Sequence, residues 1–143
     1  MRALLDVNVL LALLDAGHIH HHLASTWLER EIHQGWASCP ITQNGCIRIM
    51  SQPAYPGSHP AAEVAARLTE AAAGSAHVFW PADINLLDPK QLNWASILGH
   101  RQITDAYLLA LAVQHHGRFV TFDQAVSLDV VLGATPEHLQ ILR

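Results

Sequence analysis

The chain has 143 residues, the length of one ordinary domain; half of them are hydrophobic and only 14% are charged. This composition excludes a disordered chain and supplies enough apolar side chains for a full core. The formal net charge of −4 excludes a broad basic face of the kind that non-specific nucleic-acid binding needs. A polynucleotide substrate would therefore need a bound metal ion or a few placed arginines, for which Arg48 and Arg101 are the candidates.

The most hydrophobic stretch is too short to cross a membrane, because Asp6, Asn8 and Asp15 interrupt it. No basic lead followed by an uninterrupted apolar segment marks a signal peptide, so we expect a cytoplasmic protein without a membrane partner. The two cysteines, Cys39 and Cys46, lack the spacing of a zinc knuckle. We predict that both are buried free thiols.

The first part of the chain alternates between strand-like and helix-like patterns. RALLDV opens as a strand and passes at Asp6–Asn8 into a helix that ends near Ala16–Gly17. A second helix is predicted over 20–35, where apolar residues recur at helical spacing and a glycine closes the segment. A brief strand over 36–40 follows, and then a helix over 41–52.

A loop rich in proline and glycine at 52–60 precedes the rest of the chain, which continues the alternation. In chain order it predicts helix 61–74, strand 77–80, helix 90–98, helix 104–117, strand 118–122 and strand 138–142. Thr104 is the expected N-cap of the helix that Gly117 ends. We therefore predict a single domain over 1–143, a three-layer α/β/α sandwich with a mainly parallel sheet of about five strands.

Three acids and one amide fall at one predicted edge of this sheet. Asp6 and Asp123 follow strands, while Asp105 and Gln43 lie near the starts of helices. In α/β folds the carboxyl ends of strands and the N-termini of the following helices meet at the same edge. Three carboxylates brought together there repel one another, and a hard divalent cation such as Mg²⁺ or Mn²⁺ would relieve the repulsion.

Each of these residues also has a structural interpretation. Asp105 and Asp123, taken singly, are ordinary helix or turn caps. Asn8 either orients the Asp6 carboxylate or caps the first helix, and Thr121 either joins the cluster or is a plain strand threonine. Asp6 is harder to explain as a cap, because it lies between an apolar strand and an apolar helix. The shared edge therefore favours a metal site.

The ordered set of motifs resembles a PIN domain, and more narrowly a VapC-type toxin ribonuclease. The matching segments, which span nearly the whole chain, are LLDVNVLLAL, CPITQNGCIRIMS, WPADINLLD, ITDAYLLALA and FVTFD. The resemblance implies cleavage of RNA phosphodiester bonds by metal-activated water, with Mg²⁺ as the ion and Mn²⁺ as a substitute. It also implies Asp6, Asp105 and Asp123 as catalytic metal ligands, a homodimer, and inhibition by a VapB-like antitoxin protein.

Gln43 departs from the family pattern, because relatives with the related TENG segment carry an acid at this position. If its side chain lies at the site, Gln43→Glu should raise metal affinity. The departure also keeps open a PIN-fold RNA- or protein-binding module with weakened catalysis. A haloacid dehalogenase-type phosphatase is disfavoured because Asn8 replaces its second aspartate, and a receiver domain is disfavoured because it needs an acidic pair after the first strand.

The first two predicted helices carry more apolar residues than one face of a sheet can cover. A dimer interface, or a groove for an antitoxin segment, would use this surplus. Trp27 and Trp80 are expected to anchor a core or an interface rather than to stack on RNA bases.

Overall fold

The computed structural model describes all residues, 1–143, and contains one five-stranded sheet in which every strand pair is parallel. The strand order is β3-β2-β1-β4-β5. The strands are β1 (Ala3–Leu5), β2 (Trp36–Ser38), β3 (His77–Phe79), β4 (Arg118–Thr121) and β5 (Leu139–Ile141). The predicted number of strands and their parallel arrangement are confirmed.

Five helices cover the two faces of the sheet. They are α1 (Val7–Leu14), α2 (His21–Glu31), α3 (Pro40–Met50), α4 (Ala61–Ala72) and α5 (Ile103–Gln114). Helix α5 is buried all round over Ala106–Ala112, as expected of a helix in the interior of a domain. Pro40 at the start of α3, together with the Cys39 amide donating to Thr42 Oγ1 at 3.0 Å, explains why that helix begins where it does.

The central strand β1 divides two hydrophobic cores. Its three residues are all buried, and alternate side chains point to opposite faces of the sheet. Leu4 packs with Phe119 and α5 in one core, while Ala3 and Leu5 pack with α1 and Trp27 in the other. The predicted three-layer sandwich is therefore confirmed.

Two predicted helix features are wrong. Residues 90–98 form only the 3₁₀ turn Trp94–Ser96, although Leu92 is buried in the core. The backbone of this segment pairs with the chain around Val131 through an isolated bridge, so it is not free to make helical hydrogen bonds. Helix α5 begins one residue before Thr104, and no side chain caps its first turn.

Several smaller predictions hold. Cys39 and Cys46 are buried free thiols, and Trp27 and Trp80 are core residues with 2% and 5% of their surface exposed. No helix is both long enough and apolar enough to cross a bilayer.

Candidate active site

Asp6 lies where β1 ends and α1 begins, at the carboxyl edge of the sheet. Its backbone amide donates to the Val120 carbonyl at 2.9 Å, so β4 holds it in register. One carboxylate oxygen accepts from the Val7 amide at 2.7 Å, and the other accepts from Thr121 Oγ1 at 2.6 Å. With 7% of its surface exposed, Asp6 is therefore a buried acid supported by two hydrogen bonds.

Burial raises the pKa of Asp6 above its ordinary value, and the nearby charge of Asp123 raises it further. The hydrogen bonds from Thr121 and Val7 act in the opposite direction, because they stabilise the ionised carboxylate. Desolvation outweighs them. The site therefore holds a carboxylate whose negative charge is only partly compensated by the protein.

Thr121 connects the polar residues of the two central strands. Its hydroxyl donates to Asp6 and accepts from the Asp123 amide at 3.0 Å and from Asn8 Nδ2 at 3.4 Å. Asn8 Oδ1 in turn accepts from the Phe122 amide at 3.4 Å. Thr121 therefore joins the cluster, and Asn8 reaches Asp6 through Thr121 instead of contacting it directly.

Asp105 completes the acidic cluster from the first turn of α5. Burial raises its pKa to about 7, with further contributions from the charge of Asp6 and from a hydrogen bond and the charge of Asp123. Asp123 Oδ1 also accepts from the Ala125 amide at 2.8 Å, so it serves as a turn cap as well. The structure thus brings together all three acids that the sequence placed at one edge.

A cleft of about 270 Å³ opens beside these acids. Asp105 and Asp123 line it together with Arg101, and its apolar wall includes Ala106 and Val130. The Arg101 side chain is exposed, whereas Arg48 is an exposed residue in the last turn of α3 that lines no part of this cleft. Of the two candidate arginines, only Arg101 is next to the acids.

The acidic cluster fits a hard divalent cation by its chemistry. Its donors are carboxylate oxygens, the ligands that Mg²⁺ and Mn²⁺ prefer. Burial is the main cause of the raised pKa of Asp105, and the charges of Asp6 and Asp123 add a repulsion that a cation would relieve. The three acidic side chains are neighbours, but they are not arranged as a complete set of three ligands around one metal position.

Comparison with known proteins assigns the family. The family model described as PIN domain matches residues 3–128. Ribonuclease VapC44 of Mycobacterium tuberculosis (strain ATCC 25618 / H37Rv) is 51% identical over 142 residues, covering 99% of this chain and all of that protein. This chain belongs to the VapC family of PIN-domain ribonucleases. Ribonuclease VapC39 of the same strain is 40% identical, covering 89% of this chain and 92% of that protein.

Solved VapC structures share the fold of this VapC-family chain. Mycobacterium tuberculosis VapC20, described as a sarcin–ricin loop cleaving toxin, has a TM-score of 0.62 at 16% identity, covering 94% of this chain and 99% of that one. VapBC2 from Rickettsia felis, bound to a DNA fragment from their promoter, has a TM-score of 0.57 at 15% identity, covering 86% and 89%. Membership in this family excludes the phosphatase and receiver alternatives.

Gln43 is not in contact with the acids in this VapC-family chain. Its Nε2 donates to Ser38 Oγ at 3.0 Å, and Ser38 Oγ lies 2.8 Å from Nε2 of His77. Burial lowers the pKa of His77, which suits a neutral imidazole accepting from the serine hydroxyl. The prediction that Gln43 supports the acidic site therefore finds no contact in the structure, and Gln43→Glu is not expected to raise metal affinity.

The contact between Ser38 and His77 could not be predicted from the sequence. They lie 39 residues apart and meet only because β2 pairs with β3, in register from Trp36 and His77 to Ser38 and Phe79. Strand periodicity alone could have placed Ser38 on one face of its strand. It could not have identified the neighbouring strand.

Proposed function

We propose that this chain is a divalent-metal-dependent endoribonuclease that hydrolyses RNA phosphodiester bonds with water. The observation that carries the proposal is the position of Asp105, with its pKa raised to about 7, at a cleft it shares with Asp123 and close to the buried Asp6. Its VapC relatives are named ribonucleases. Asp6, Asp105 and Asp123 are the proposed catalytic residues.

The same three acids would hold the ion, Mg²⁺ with Mn²⁺ as a substitute. When bound, a divalent ion supplies a water of lowered pKa and positive charge for the oxyanion that develops on the phosphate. Thr121 positions the Asp6 carboxylate through its 2.6 Å hydrogen bond, and Asn8 supports Thr121. Asp105 binds either a proton or a cation, so we expect metal affinity to fall below about pH 7.

RNA cleavage with a matched set of variants tests this proposal. Asp6→Asn and Asp105→Asn should lose cleavage of single-stranded RNA in Mg²⁺ or Mn²⁺, and titration calorimetry should show loss of metal binding. Asp129→Asn removes an exposed carboxylate outside the cluster and should keep both. Cleavage that persists in Asp6→Asn, or in excess chelator, would contradict the proposed metal mechanism.

We further propose a VapB-like antitoxin as the protein partner. An apolar groove lies between α1, α2 and α4, where its lining includes Leu10, Leu13, Leu14, Leu28 and Ile32. Such a groove fits the apolar face of a partner segment, and the acidic cleft would attract a partner's arginine. Apolar residues of the first two helices, which carry more of them than one face of the sheet can cover, form part of the groove lining.

Copurification with the product of a short reading frame next to the gene tests the partner. Leu28→Glu introduces a charge into the groove and should abolish copurification while RNA cleavage continues. Thr26→Glu is the matched control, because Thr26 is exposed and lines a different depression of α2. Equal copurification of both variants would exclude this groove as the docking surface.

One alternative is a PIN-fold binding module with weakened catalysis, suggested by Gln43 in place of the acid of the related TENG segment, although the bond of Gln43 to Ser38 argues against a role at the acids. The cleavage assay separates the two functions. A chain that binds single-stranded RNA but does not cleave it in Mg²⁺ or Mn²⁺ would be the binding module.

A further inference from the structure

The cleft beside the acids contains a single basic side chain. Among its nine lining residues only Arg101 carries positive charge, and Asp105 and Asp123 line the same cleft. Other basic side chains are bound elsewhere: Arg2 donates to backbone carbonyls, Arg67 pairs with Glu63, and Arg118 contacts Glu31. Arg101 is the only Lys or Arg side chain among the residues that line this cleft.

The guanidinium of Arg101 is not used by the protein itself. It takes part in none of the ion pairs, and its side chain is exposed. It precedes Asp105 by four residues and forms no ion pair with it, so its hydrogen-bond donors remain available.

The backbone that carries Arg101 is held in place. Arg101 is the middle residue of the 3₁₀ turn His100–Gln102 that leads into α5. Gln102 Oε1 accepts from the Leu98 amide at 2.7 Å and from the Gly99 amide at 3.1 Å. These two bonds close the turn that carries Arg101, whose side chain lines the cleft.

We propose that Arg101 binds a backbone phosphate of the RNA next to the bond that is cut, which rests on the proposed nuclease function. A polyanion approaching three carboxylates in a chain of net charge −4 is repelled, and a guanidinium at the cleft offsets part of that repulsion. The planar fork of arginine matches two phosphate oxygens. Arg101 is a substrate-positioning residue and takes no part in bond breaking.

Steady-state cleavage of a single-stranded RNA oligonucleotide tests the proposal first. Arg101→Gln should raise KM roughly tenfold, the effect of losing one charge-assisted contact, with kcat near the wild-type value. Arg101→Lys keeps the charge without the fork and should recover part of the loss. Arg48→Gln is the matched control and should behave as wild type, because Arg48 lies outside the cleft.

RNA binding by inactive protein supplies the second test and does not depend on cleavage. In an Asp6→Asn background, Arg101→Gln should lower the slope of log Kd against log salt concentration by about 0.7, the value for one lost phosphate contact on a single strand. Arg48→Gln in the same background should leave the slope unchanged.

The outcomes separate this proposal from the proposed function. Wild-type cleavage with unchanged KM and salt slope in Arg101→Gln overturns the role of Arg101 and leaves the nuclease intact. A displaced acid limb of the pH–rate profile at constant KM also overturns it, because Arg101 would then act on Asp105. Unchanged RNA binding with weakened binding of the antitoxin would assign Arg101 to a protein partner instead. RNA binding with the expected slope change but without cleavage supports Arg101 while the nuclease proposal fails.

Discussion

At the scale of single residues, the site depends on one hydroxyl. Thr121 and Asp6 are 115 positions apart, and their 2.6 Å hydrogen bond lowers the pKa of a carboxyl group whose pKa burial raises. The hydroxyl oxygen of Thr121 also accepts a hydrogen bond from the Asp123 amide at 3.0 Å. Thr121 therefore couples the two acids that follow the central strands.

Thr121→Val should destabilise the protein and raise the pKa of Asp6 further. Valine preserves the shape and the β-branched backbone preference, but it removes the partner of one Asp6 carboxylate oxygen and of the Asp123 amide, at a cost of about 1–3 kcal/mol. Urea unfolding measures the change in free energy. Thr69→Val, which removes an exposed helical hydroxyl bonded to the Ala65 carbonyl, is the control, and equal losses in both variants would contradict this account.

The raised pKa of Asp105 predicts how the free energy of unfolding depends on pH when no metal is bound. Its pKa is about 7 in the folded protein and roughly 3.9 in an unfolded chain, so between these values the folded state binds more protons. The free energy of unfolding should therefore fall as pH rises from about 4 to about 7.

Asp105→Asn removes this titration and should gain stability relative to wild type across that pH window. The gain should be roughly 1–2 kcal/mol, reduced from the unscreened value because the carboxyl is only half-buried. Urea unfolding in chelator at both ends of the window measures it. Added Mg²⁺ should diminish the wild-type trend, and a difference between the two proteins that stays constant with pH would contradict the raised pKa.

At the scale of elements, the site depends on how closely α3 approaches the start of α1. Gly45 is buried in α3, and a Cβ built there would lie 2.6 Å from Cγ2 of Val7. Val7 directly follows Asp6 and donates its amide to the Asp6 carboxylate. Close packing against Val7 therefore explains why a glycine lies inside this helix. The same contact fixes Val7, whose amide donates to the Asp6 carboxylate.

Gly45→Ala should destabilise the protein by about 1–3 kcal/mol, because the added methyl group overpacks the contact and outweighs the gain in helix propensity. Val7→Ala in the same chain should recover part of the loss. Gly74→Ala is the control, since a Cβ there meets nothing within 4 Å. Urea unfolding checks all three, and a stabilised Gly45→Ala would show that the helices move apart freely.

At the scale of the whole molecule, several large apolar side chains are left on the surface. Leu98, Leu87 and Ile19 have 87%, 83% and 87% of their surface exposed. Together with the apolar groove of α1, α2 and α4, they give this chain more apolar surface than its own fold can bury.

We expect the purified chain to form a homodimer. Size-exclusion chromatography with light scattering should give twice the chain mass of 15.7 kDa, because a second copy would cover apolar surface that remains exposed here. A single-chain mass over the whole accessible concentration range would contradict the dimer. Thr26→Glu, a charge outside the groove, serves as a control that should leave the mass unchanged.

Hydrophobic periodicity was enough to predict the architecture. The positions of the three acids at strand ends and at a helix start were enough to predict that they share one edge of the sheet. β1 is apolar throughout and α5 is apolar on all sides, so the central strand and a buried helix could be predicted locally. The general geometry of α/β folds then placed Asp6, Asp105 and Asp123 at one edge. Local pattern failed at 90–98, where apolar spacing resembled a helix but the backbone instead pairs with the distant segment around Val131.

The sequence by itself determined the layers, the parallel sheet and the shared edge of the acids, because these follow from hydrophobic period and chain direction. Only the tertiary structure decided that Gln43 bonds to Ser38, that Asn8 acts through Thr121, and that Arg101 reaches the cleft while Arg48 does not. Side-chain direction depends on which strands are neighbours and on which helices pack between them. Those contacts join residues far apart in the chain, and no local pattern encodes them.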